Sequence, residues 1–163
     1  MSTTAAQLNL SVKLILTAWD VQNNYLTKLL GSLTDEQLLK EIAPGRNTGI
    51  YLLGHLVAVS DAMQPLLGFG EKLFPALENV FLKNPDKSGL VMPTVTELKE
   101  NLQAVNAKLS TAFQSCTVNE WLDRHTAVSA EDFVKEPHRN KLNVVISRTG
   151  HMANHIGQML LLK

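Results

Sequence analysis

Apolar residues recur at three- and four-residue steps through four long stretches of this chain. In the first, Val12, Ile15, Trp19, Leu26 and Leu29 fall on one stripe, which predicts a helix over residues 8–30. Gly31 stands at its natural stop position. In the second, Leu52, Leu56, Val59, Met63 and Leu66 form the stripe, and Asn47 or Thr48 can cap a helix over residues 48–67. The third opens at a capping box behind Pro93, Thr94 with Glu97, and Leu98, Leu102, Val105, Leu109 and Ala112 carry it to residue 115. The fourth spans residues 140–162, with Leu142, Val145, Ile146, Thr149, Ala153, Ile156 and Leu160 on one face.

The connections read differently. Residues 32–40 suit one helical turn before the breaker Ala43-Pro44-Gly45. Thr117 and Glu120 make a second capping box and predict a short helix around Trp121. Residues 125–139 read as loop with one more turn. Residues 68–93 carry Gly68, Gly70, Pro75, Pro85, Gly89 and Pro93, and so long a connection is often functional. Its Phe69, Phe74 and Phe81 predict that it packs down as a lid. Nothing alternates in the manner of a strand. The expected fold is all-α, a four-helix bundle with a long crossover between the second and third long helices.

Totals add bounds to this picture. A chain of 163 residues suits one domain, here residues 1–163, and needs no disulfide to support its core. The single Cys116 permits no internal disulfide, which points to the cytoplasm, and it reads as a small packed residue at a helix end. Fifteen basic and fifteen acidic residues cancel, so no field draws nucleic acid or an anionic membrane. The N-terminal residues lack a basic start and a long apolar run, so no signal peptide is expected.

The candidate chemistry lies in the histidines. His151 and His155 are four apart on the last helix, so both can reach one ion. On a helical wheel they fall opposite the apolar stripe, on the side of Val144, Arg148, Gln158 and Leu162. Two surface histidines with no ligand would show the same spacing. His55 sits at the margin of the second helix's apolar face, and Gly54 beside it lets another element approach closely. Arg148 reads as a surface residue in a helix salt bridge, or as a contact for an anionic substrate group. His125 and His138 read as solvated loop residues. Neither a Glu-x-x-His nor a His-Glu-x-x-His motif occurs, which sets aside di-iron carboxylate and zincin chemistry.

Two segments carry a resemblance to a known family. Asn47-Thr48-Gly49-Ile50-Tyr51-Leu52-Leu53-Gly54-His55-Leu56 and Gly150-His151-Met152-Ala153-Asn154-His155-Ile156-Gly157-Gln158-Met159 resemble the paired motifs of the DinB-like (DinB/YfiT) superfamily of four-helix bundles. The resemblance implies a metal triad of His55, His151 and His155, holding a divalent ion, nickel or zinc. It assigns no role to Gln158 and no fourth protein ligand. It further implies a metal-dependent enzyme acting on a small molecule, either a thiol transferase with a low-molecular-weight thiol as partner or a hydrolase, and a homodimer. The competing expectation is a non-catalytic helical module that binds metal or a partner. No general base stands out: Asp61 points away from His55 on the wheel, and Glu71 in the crossover has no support.

Overall fold

The computed structural model describes residues 3–163. Ten helical segments follow one another in the order α1 (Thr3–Ser32), α2 (Asp35–Leu38), α3 (Gly49–Asp61), α4 (Met63–Leu66), α5 (Leu77–Phe81), α6 (Val95–Ser115), a 3-10 turn (Glu120–Leu122), α7 (Ala130–Lys135), α8 (Lys141–Met159) and a final 3-10 turn (Leu160–Leu162). No strand occurs among the described residues, only the isolated bridges Glu41–Thr48 and Arg124–Asn140. The four long helices α1, α3, α6 and α8 make the expected all-α bundle. Among the described residues, no helix is long and apolar enough to cross a membrane.

The caps fall where the sequence placed them. Thr94 and Glu97 exchange both bonds of a capping box at the start of α6. Thr48, rather than Asn47, caps α3, and Asn140 caps α8. Two boundaries differ. The first helix runs through Gly31 to Ser32, because the next turn is set by the Thr34 capping box of α2 and not by a left-handed glycine. The second long helix is interrupted at Ala62. Pro65 has no N–H to give to the Asp61 carbonyl, so the helical ladder breaks between α3 and α4.

α3 is the central element. Of its thirteen residues, every one but His55 is buried. A helix that is apolar all round belongs inside, so its predicted stripe understated it. It packs on α6, α5 and α8, while α1 packs along α8. The buried face of α8 is also turned from the expected one. Leu142, Val145, Met152, Ile156 and Met159 are buried, whereas Ile146 and Leu160 are each 48% exposed. His151 and His155 therefore border the buried face rather than oppose it.

The crossover between α4 and α6 is fastened along α3 at several points. Asp61, 1% exposed, accepts the backbone N–H groups of Leu73 and Phe74, both at 2.8 Å. The Tyr51 hydroxyl donates to the Asn84 carbonyl at 2.8 Å. Thr48 donates through its backbone N–H and its hydroxyl to Asp86. Phe69 and Trp121 meet edge to face, and Phe81 is fully buried. These aromatic side chains and a buried carboxylate thus turn a glycine- and proline-rich stretch into a fixed wall over α3.

Candidate metal centre

The site begins with a close approach. A Cβ on Gly54 would stand 2.2 Å from Cζ of Phe81, so only glycine lets the α5 ring lie on α3 here. That packing brings the Phe81 carbonyl to 2.9 Å from Nδ1 of His55. The carbonyl can only accept, so Nδ1 carries the proton and Nε2 is left with a free lone pair. The Tyr51 ring lies nearly parallel to His55, with centroids 6.4 Å apart.

α8 supplies the other two imidazoles. Nδ1 of His155 lies 2.7 Å from Oε1 of Gln158 and donates to it, which again frees Nε2. Nε2 of His151 lies 3.2 Å from Nε2 of His55 and 3.0 Å from Nε2 of His155. Three ring nitrogens from two helices therefore face one point. All three residues are half-buried, and together they form a group able to hold a metal ion.

The proton count shows what the arrangement suits. His55 and His155 both aim lone pairs inward. His151 can give an Nε2 proton to only one of them, and its Nδ1 is buried without a partner. With neutral rings, one lone pair faces another nitrogen at close range. A single cation satisfies all three at once. Nitrogens bound tetrahedrally at ~2.0–2.1 Å are spaced about 3.3–3.4 Å apart, close to the separations here. Electrostatics favours the same neutral forms. Burial, reinforced by the neighbouring imidazoles and Arg148, pushes the His151 pKa down to about 4. Burial also lowers that of His55, against the opposing bond to Phe81. Neutral imidazole is the form that ligates metal.

The remaining candidates stay out of the cluster. His138 is exposed in the loop before α8. His125 is half-buried beside Arg148 and apart from the triad. Burial pushes the Cys116 thiol up, so it is not a ready thiolate. Asp61 turns into the crossover, and Glu71 is not among the residues whose ligand atoms converge. Arg148 makes no helix salt bridge, since Val144, Val145, His151 and Met152 occupy the positions three and four residues away.

The sequence reading left Gln158 without a task, and the structure gives it one: it orients His155. Its place three residues on, on the same helical face, was the available signal. The Phe81 carbonyl had no such signal, because a backbone group carries no side-chain signature. Removing a hydrogen-bond partner of a metal-ligating histidine typically lowers metal affinity 10–100-fold. Gln158→Leu is expected to weaken nickel or zinc binding by roughly that factor without unfolding the protein. Competition with a chromophoric chelator measures it, and an unchanged affinity would remove Gln158 from the site.

Comparison with known proteins bears on the fold and the family. No curated protein sequence matches the chain significantly. The crystal structure of a conserved protein from Enterococcus faecalis matches with a TM-score of 0.63 at 17% identity, over 92% of this chain and 93% of that one. At that identity the likeness shows a shared fold. The family model of the DinB superfamily matches residues 18–159, from within α1 to the end of α8 and across both histidine-bearing helices. This chain belongs to the DinB superfamily.

Proposed function

We propose that the protein is a metal-dependent enzyme that transfers a small thiol to an electrophilic small molecule. The observation that carries the proposal is the convergence of three Nε2 atoms, with the tautomers of His55 and His155 set from behind by Phe81 and Gln158. His55, His151 and His155 are the proposed ligands, with nickel or zinc as the ion. When bound, such an ion would keep an open position and supply Lewis-acid polarisation of a substrate sulfur or oxygen.

The chain's own residues favour a thiol over water as the attacking group. Among the described residues, no carboxylate joins the three histidines. A nucleophile here must lose its proton without a protein base. Beside a bound divalent ion a thiol would be deprotonated outright, whereas water would keep a pKa of about 7. Hydrolysis is therefore the weaker form of the proposal. The exposed side chains of Leu10, Leu14, Val21 and Tyr25 lie along one stripe of α1 and support pairing with a second copy.

The test uses untagged protein. Elemental mass spectrometry should find near-stoichiometric nickel or zinc, as purified or after incubation with each. The loaded protein should then accelerate conjugation of a low-molecular-weight thiol to 1-chloro-2,4-dinitrobenzene over the metal-free protein. Full metal content with no turnover across thiols and electrophiles would favour a non-catalytic binding module. An empty protein after incubation would sink both the enzyme and the metal site.

A further inference from the structure

One cleft on the α8 face carries features that the metal proposal does not use. It encloses about 220 Å³ and is lined by Leu66, His125, Asn143, Val144, Ser147 and Arg148. Arg148 is half-buried there and takes part in no ion pair or side-chain hydrogen bond among the described residues. Its Nε is sealed from solvent without an acceptor, and Nδ1 of His125 across the cleft is sealed in the same way. Several of the other cations have partners, and Lys13, Lys28, Lys40 and Arg46, which have none, are exposed to water. Lys72, Lys83, Lys87, Lys99, Lys135 and Arg139 each meet a carboxylate. Arg124 donates to the Val128 carbonyl.

A half-buried guanidinium with an unmet donor costs folding free energy, and the cleft holds no carboxylate to offset it. Ser147 and Asn143 add neutral donors on the exposed rim. Arg148 and His151 are three residues apart on one helix, so their Cβ atoms lie ~5–6 Å apart. A group held by Arg148 is one helical turn from the histidine cluster.

We propose that this cleft is an anion subsite in which Arg148, with Ser147 and Asn143, binds the carboxylate of a small molecule. One formal positive charge beside a histidine suits a singly charged group. Its volume of about 220 Å³ suits a short acid. Binding of the carboxylate needs no metal. Its use as the handle that aims a substrate at the histidines rests on the enzyme reading above.

The experiment is a titration of metal-free protein with sodium acetate, and separately with inorganic phosphate, at constant ionic strength held by chloride. Proton–nitrogen NMR follows the Arg148 Nε–H, assigned by its absence in Arg148→Lys, and the Ser147 backbone amide. Acetate should shift both saturably at millimolar concentration. In Arg148→Gln the Ser147 response should need at least roughly ten times more acetate, as fits the loss of a hydrogen bond to a charged group. Arg148→Lys, which keeps the charge on a helix-favouring side chain, should fall between. His151→Ala should bind acetate as the parent does. Shifts that never saturate, or equal binding by the Gln variant, would overturn the subsite. Saturation by phosphate but not acetate would overturn its assignment to a carboxylate. Because the titration is metal-free, an empty metal site would leave this result standing, and a failed titration would leave the metal site standing.

Discussion

Replacing His151 with Ala should empty the metal site while leaving the bundle folded. His151 is the shared member of the triad, with its Nε2 within 3.2 Å of His55 and 3.0 Å of His155. Without it the ion keeps two protein ligands, and the loss should exceed the roughly 10–100-fold typical of a supporting residue. Folding should survive, because His151 is half-buried and its Nδ1 holds no structural bond. The variant should even gain stability toward acid. A His151 pKa of about 4 in the folded chain lies below its ordinary value of 6.5. Protons therefore favour the unfolded chain, and that penalty grows as pH falls from about 6.5 to about 4. Elemental mass spectrometry and thermal melts between pH 7 and pH 4 read the two effects. A variant that keeps its metal would show that these histidines are not the ligands.

Gly54→Ala should have the largest effect on the fold. The new methyl would lie 2.2 to 2.6 Å from three ring atoms of Phe81, a side chain with 0% exposure and no free space to enter. Overpacking of this kind costs about 1–3 kcal/mol, and occasionally more. The displaced ring would carry the Phe81 carbonyl away from His55, so metal affinity should fall as well, by roughly 10–100-fold. Urea unfolding and chelator competition measure the two losses. Adding Phe81→Leu should restore stability in a double-mutant cycle, since the smaller side chain relieves the clash. A lone Gly54→Ala that melts with the parent would refute the tight contact.

The long helices were readable because their cause is local. Thr48, Thr94 and Asn140 cap their own helices, and apolar spacing depends only on neighbours. The rotation of α8 was not readable in the same way. Ile146 and Leu160 look like core residues by spacing, yet which side faces inward depends on where α1 and α3 lie. The break at Pro65, by contrast, is local, since the missing N–H follows from the residue alone.

The site divides along the same line. His151 and His155 announce themselves by their spacing, and Gln158 shares their helix. His55 is separated from them by 96 residues or more, so only the family resemblance linked it to them. The partners that set its tautomer were hidden more deeply, because Phe81 acts through its backbone and Gly54 acts by lacking a side chain.

That long separation has a consequence for folding. The chain has one cysteine and hence no covalent crosslink of its own. An ion shared by His55 and His151 would close a 96-residue loop. Binding to the folded chain alone would shift the equilibrium by mass action, in proportion to the logarithm of free metal. It would do so across a junction distant in sequence, and such contacts pay loop-closure entropy before they are rewarded. The triad would then serve the bundle as a reversible clasp, and metal supply would set how long α3 and α8 stay joined.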